Sequence, residues 1–184
     1  GKKIWHYPVI HHDVWDKDLP TPPALVTVTH DGKLIDAVAQ PTKHGFIFLL
    51  NRQTGEPLFP VEEKAVPTNT ELAGEKLSPT QPFPTMPKPF VRQVFTEADI
   101  NPLLSDSSYR EVQRKLKTYH TGNMFNPPSK AGTVIFPGFD GGAEWGGPAF
   151  DPATALLYVN ANEMPWVLTM IDAKKEDQGT EIYL

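Results

Sequence analysis

Ala24-Leu25-Val26-Thr27-Val28-Thr29-His30-Asp31-Gly32-Lys33-Leu34-Ile35-Asp36-Ala37-Val38-Ala39 decides the fold. Two runs rich in β-branched residues flank an Asp-Gly pair, the strongest short-range hairpin signal. A two-residue type I′ turn needs positive φ at both central positions, which Asp and Gly tolerate. The spacing predicts two antiparallel strands with Asp31-Gly32 at the tip. Gly45-Phe46-Ile47-Phe48-Leu49-Leu50 follows as an apolar run of strand length and reads as a third, fully buried strand. Asn51-Arg52-Gln53-Thr54-Gly55-Glu56-Pro57-Leu58-Phe59 turns at Thr54-Gly55 toward a fourth short strand. Four antiparallel strands in a meander make one propeller blade, so the expected class is all-β with β-propeller blades.

Outward from this unit the chain keeps strand logic with one interruption. Upstream, Ile4-Trp5-His6-Tyr7 alternates large residues and is expected as the last strand of a β unit that starts earlier. Pro20-Thr21-Pro22-Pro23 cannot enter a sheet interior. Downstream, residues 57–89 hold eight prolines, which predicts an extended, irregular excursion continuing to about residue 131. A disordered linker is the alternative, against which Phe59, Phe83, Phe90 and Phe95 suggest a loop laid on a surface. One helix is expected near residues 107–119. Ser108 and Glu111 have capping-box spacing there, with Tyr109, Val112 and Leu116 on one face and Arg110, Arg114, Lys115 and Lys117 on a solvated basic face. Strands resume at Gly132–Gly138, at Ala155–Asn160 (read as buried) and from Trp166 to Ile171. The similar strand-turn chemistry of Phe46–Thr54 and Phe150–Asn160 suggests a degenerate repeat.

The bulk numbers narrow the class. At 184 residues the chain can bury one core, and its net charge of -5 argues against nucleic acid or an anionic membrane as partner. No apolar run reaches the roughly 18 residues of a spanning helix, and Gly1-Lys2-Lys3-Ile4-Trp5 reads as the middle of something longer. With no cysteine there is no disulfide, thiolate metal site or CxxCH haem motif. Twenty prolines, well above the roughly 5% of average usage, favour strands and fixed loops over long helices.

Chemistry concentrates in His11-His12-Asp13-Val14-Trp15-Asp16-Lys17-Asp18-Leu19-Pro20, with two histidines, three aspartates and a tryptophan in eight residues. Carboxylates so close together are rarely buried unless paired or set on a cation. The plain reading is an exposed acidic loop pinned by Trp15; the functional one is a site. Lys43, in Gln40-Pro41-Thr42-Lys43-His44-Gly45, stands at the lip of the buried strand. Together with Ser78-Pro79-Thr80-Gln81-Pro82-Phe83, Asn126-Pro127-Pro128-Ser129, Gly132-Thr133, Phe136-Pro137-Gly138 and Glu144-Trp145-Gly146-Gly147, in that order, the chain resembles the PQQ-dependent quinoproteins, in particular their membrane-bound glucose dehydrogenase branch. The helical stretch from about Thr96 to His120 carries least of the likeness.

The resemblance implies an eight-bladed β-propeller with pyrroloquinoline quinone (PQQ) over its channel, of which residues 1–184 would form about three blades. It implies that Asp16 is the general base and lies by a Ca²⁺ or Mg²⁺ ion held with the quinone. Oxidising a sugar or alcohol hydroxyl means removing its proton while hydride leaves carbon for the quinone. Lys43 would stabilise negative charge on the reduced quinone, and Asn160 and Trp145 would lie near the cofactor. The alternatives for these last two are a strand-end turn residue and a blade-packing tryptophan. One of His11 and His12 is expected to line the site, without zinc. The resemblance further implies a periplasmic enzyme that passes electrons to ubiquinone or a cytochrome. A fragment this size would be inactive alone and prone to self-association through open blade edges. The competing function is a non-catalytic propeller serving as scaffold or binding platform.

Overall fold

The computed structural model describes residues 1–172; residues 173–184 of the expected propeller segment lie outside them. The Asp-Gly hairpin forms as its residues predict. β1 (Ala24–His30) and β2 (Lys33–Pro41) pair antiparallel, from Ala24 opposite Ala39 to His30 opposite Lys33. Asp31 and Gly32 fill the two-residue loop at φ +49° and +73°, the type I′ geometry. β3 (Ile47–Asn51) joins the other side of β2, giving the order β1-β2-β3. The expected fourth strand shrinks to a bridge between Leu50 and Pro57, beside a 2.8 Å hydrogen bond from Leu58 N to Leu49 O. Pro57 and Pro60 lack the N–H that would extend the ladder. Ile4–Tyr7 is likewise no strand, since no described residue pairs with it. Trp5 instead donates from Nε1 to Arg52 O at 3.0 Å.

The proline-rich excursion is more ordered than either reading of it. β4 (Val61–Ala65) and β5 (Thr80–Pro84) form an antiparallel pair. Thr85 N donates to Pro60 O and Val66 N to Pro79 O, so odd-numbered residues along β5 face β4. Pro82 and Pro84 therefore turn their missing N–H to the free edge, where proline is tolerated. After a 3₁₀ turn at Glu97–Asp99, α1 spans Asp106–Leu116. Its cap is Ser105, whose hydroxyl accepts from Ser108 N, and not Ser108; the capping box belongs to Thr96 and Asp99 one element earlier. No residue of α1 is buried, so the helix is peripheral.

β6 (Thr133–Ile135) precedes the hairpin of β7 (Pro148–Asp151) and β8 (Leu156–Val159), and β9 (Trp166–Leu168) returns to pair antiparallel with β6. β8 is half open to solvent and not the buried strand its composition suggests: Leu156 and Tyr158 face outward. The two similar strand-turn units thus differ in setting, one in a three-stranded sheet and the other in a two-stranded hairpin.

The period of two divides β3 between two cores. Phe46, Phe48 and Leu50 pack with Val9, Trp15, Met124, Phe125 and Ile135. On the opposite face Ile47 joins Val26, Ala37 and Ala39, covered by Phe150, Leu157 and Val159 of the β7–β8 hairpin. Among the described residues the architecture is therefore four small antiparallel sheets, the β7–β8 hairpin lying on one face of the β1–β2–β3 sheet, with one α-helix. No helix among the described residues is long and apolar enough to cross a membrane.

Candidate functional site

The acidic loop is anchored on both sides of one residue. Asp13 accepts from Trp15 N at 2.9 Å and Lys17 N at 2.6 Å, folding the loop on itself. Burial raises the Asp13 pKa even against these two bonds. Trp15 is fully buried, donates from Nε1 to Asn126 O at 2.7 Å and stands edge-on to Phe125. Lys17 is fully buried too, its ammonium donating to Pro137 O. Burial lowers its pKa to about 8. Between these anchors Asp16 is held at φ +60°, a left-handed conformation that few residues other than Gly, Asn and Asp adopt. Its side chain and that of Asp18 are more than half exposed.

Lys43 comes from the turn between β2 and β3. Gly45 N donates to Thr42 O and Thr42 N to Phe46 O, both at 3.0 Å. Gly45 sits at φ +83°, where a Cβ would stand 2.2 Å from Val91 Cγ2. The turn drives the Lys43 side chain into the protein, leaving it 8% exposed. Its Nζ lies 2.8 Å from Asp16 Oδ2, 2.7 Å from Asp18 Oδ1 and 3.9 Å from Glu144 Oε1. Burial opposes the charge on Lys43, but the hydrogen bonds it donates to Asp16 and Asp18, with the charges of both carboxylates, outweigh it and the pKa is raised. The next residue, His44, is wholly buried edge-on to Phe46 with no hydrogen bond to either ring nitrogen among the described residues. Burial, helped by the charge on Lys17, lowers its pKa to about 3, so the ring is neutral.

The glycine-rich arm after β6 closes over this turn. Gly142 N donates to Lys43 O at 2.5 Å and Ala143 N to Thr42 O at 3.2 Å. The approach requires glycine, because a Cβ at Gly142 would meet Gly45 Cα at 3.0 Å and Lys43 O at 3.1 Å. Glu144 is thereby brought to Lys43. Burial raises its pKa, while the ammonium pulls it down, and its Oε1 has no hydrogen-bond partner among the described residues. A cleft of about 440 Å³ opens beside it, lined by Asp140, Glu144, Asn160 and Asn162 among others.

The structure brings together Asp16 and Lys43, whose side chains touch, and sets Asn160 in the cleft that Glu144 shares. Trp145 is 82% exposed in this chain. Neither histidine joins the Lys43 cluster. His11 pairs with Glu63 at 2.9 Å and His12 with Glu75 at 2.6 Å, so both reach the proline-rich excursion. Glu75, the partner of His12, lines a second cavity together with Asp13, Trp15 and Asp16. Sequence reasoning gave no role to Asp18 or Lys17; the one signal was a lone cation among three aspartates. As oxygen donors the loop offers Asp16 and Asp18. Asp16 binds Lys43 through Oδ2, and its Oδ1 makes no hydrogen bond among the described residues. No three His, Cys, Asp or Glu side chains there form a group that could hold a metal ion.

Known proteins resemble the chain over nearly all of its length. Residues 1–182 match the family model described as "PQQ: Glucose/ethanol/alcohol dehydrogenase, beta-propeller domain". A quinoprotein glucose dehydrogenase of Gluconobacter oxydans (strain 621H) is 37% identical over 174 residues, 93% of this chain and 21% of that protein. A quinoprotein glucose dehydrogenase of Escherichia coli (strain K12) is 34% identical over 171 residues, again 93% of this chain and 21% of that protein. The glycerol dehydrogenase large subunit of Gluconobacter oxydans (strain 621H) is 34% identical over 183 residues, 97% of this chain and 24% of that protein. The chain thus spans about a fifth to a quarter of the length of these relatives. Among solved structures, the quinohemoprotein alcohol dehydrogenase ADHIIG of Pseudomonas putida HK5 shares the fold with a TM-score of 0.54. It is 21% identical over 94% of this chain and 20% of its own.

Proposed function

Because the chain belongs to the PQQ family of glucose/ethanol/alcohol dehydrogenase β-propeller domains, we propose that residues 1–184 are a segment of about three blades of a PQQ-dependent dehydrogenase that oxidises a sugar or alcohol hydroxyl. The observation that carries this reading is the contact of Asp16 with Lys43 at 2.8 Å, between loops 27 residues apart. A base and a cation for one quinone would have to converge in this way. The side chains suit the cofactor. Lys43 has three N–H donors and gives two to Asp16 and Asp18, which leaves one for a quinone oxygen. Asp16 and Asp18 are hard oxygen donors of the kind Ca²⁺ or Mg²⁺ prefers.

Bound PQQ supplies the two-electron acceptor for hydride. Asp16, oriented through Oδ2 by Lys43, takes the hydroxyl proton of the substrate on its unengaged oxygen. Lys43, whose raised pKa keeps it charged across the neutral range, offsets negative charge developing on the quinone oxygens. Asn160 and Glu144 line the cleft beside the Lys43 turn, and Asp16 lines a second cavity with Trp15 and Glu75. Two carboxylates already engaged by Lys43 fall well short of the roughly six to eight oxygens Ca²⁺ takes, so further ligands come from the rest of the full-length protein. In that protein electrons pass to ubiquinone or a cytochrome, on the periplasmic side. A non-catalytic scaffold would have no use for a buried ammonium ringed by Asp16, Asp18 and Glu144.

Reconstituting the full-length protein with PQQ and Ca²⁺ tests this. Sugars, polyols and primary alcohols are then assayed with an artificial electron acceptor. Turnover that requires PQQ, on at least one of these, is the expected result. A protein that binds PQQ and oxidises none of them would support the scaffold reading instead.

A further inference from the structure

The buried ammonium of Lys17 has no part in the chemistry above, and packing does not account for it. Removing an ammonium from water costs several kcal/mol, whereas a methionine of similar shape would fill the same space without that cost. What a methionine could not supply is the bond to Pro137 O, which ties the acidic loop to a segment 120 residues away. Pro137 opens the arm whose Gly142 and Ala143 N–H groups hold the Thr42–Lys43 backbone. Three pieces therefore form a closed set: loop to arm through Lys17, arm to turn through Gly142, and turn to loop through Lys43 and Asp16. Asp16 sits in this set at a φ of +60°, a left-handed turn whose direction decides where its carboxylate points. Trp15 holds the loop on one side by its bond to Asn126 O.

We propose that Lys17 is a positioning residue for Asp16: its buried bond to Pro137 O holds the loop in the left-handed turn that delivers the Asp16 carboxylate to Lys43. The proposal rests on the reading of Asp16 as base. Displacement of a catalytic group by about 1 Å can cost 100-fold in rate, so losing this anchor should lower kcat more than it disturbs binding.

Lys17→Met and Lys17→Gln are made in the full-length protein loaded with PQQ and Ca²⁺, and kcat is expressed per bound PQQ beside KM and PQQ stoichiometry. The expected result is full loading, KM within about twofold of wild type and kcat per bound PQQ down by about 10- to 100-fold. Wild-type kcat per bound PQQ in Lys17→Met, which has no donor for Pro137 O, would overturn the proposal; Lys17→Gln keeps an amide N–H and should lose less. Failure of both variants to load PQQ would assign Lys17 to folding alone and overturn it as well. Absence of PQQ-dependent turnover in the wild-type protein is a separate outcome, in which the functional reading itself fails.

Discussion

His44 shows how one buried side chain reaches into bulk behaviour. Its folded pKa of about 3 lies below the ordinary 6.5 of an unfolded histidine. The unfolded chain therefore binds the proton first, and stability falls as pH drops below about 6.5, by about 1.4 kcal/mol per pH unit. His44→Phe should remove that slope. Because it also deletes two unpaired buried nitrogens, it should match or exceed wild type near pH 5. Denaturant midpoints of the full-length protein between pH 7 and pH 4 give the comparison, and an unchanged slope in the variant would contradict it. At this scale legibility followed context. Asp16 and Lys43 could be named because each lies in a motif with its neighbours. Lys17 could not, since nothing near residue 17 reveals that its partner is the carbonyl of Pro137. The partners of His11 and His12, Glu63 and Glu75 in the excursion, are equally invisible from the local sequence.

Among the elements, the β1–β2 hairpin was readable because its turn is decided by two adjacent residues, Asp31 and Gly32. β4 and β5 were not, because the prolines that seem to forbid strands fall on the one edge that tolerates them, and only the pairing partner shows which edge that is. The glycine-rich arm was recognisable as a motif but not as a clamp. Its meaning lies in the approach of Gly142 to the Lys43 turn. Gly142→Ala would put a Cβ against three backbone atoms, Gly45 Cα, Gly45 N and Lys43 O, which cannot rotate aside as a side chain can. Overpacking of this kind typically costs about 1–3 kcal/mol. Because the strain falls on the Lys43 turn, PQQ affinity of the full-length variant should drop by about tenfold, the equivalent of some 1.4 kcal/mol. Titration with PQQ measures it, and wild-type affinity would show that the arm does not hold the turn.

For the whole molecule, a propeller protects its sheets by closing on itself, and this chain spans about a fifth of the relatives' length. β1 is an outer strand of its sheet, and Leu25 on it is exposed. Residues 1–184 produced alone should therefore bind PQQ weakly and associate with themselves as concentration rises, since open edges template further pairing. Sedimentation velocity over a concentration series checks this, and a monomer that binds PQQ tightly one-to-one would mean that the segment carries the whole site. The central claim is that Asp16, held by Lys43, is the base. The most direct measurement is turnover of the Asp16→Asn full-length protein, loaded with PQQ and Ca²⁺, beside wild type. The substitution keeps the shape and removes the proton acceptor, and general-base catalysis contributes typically 10²–10⁴-fold. A fall in kcat of about that size with the fold intact is the predicted result; undiminished turnover in Asp16→Asn would contradict the account.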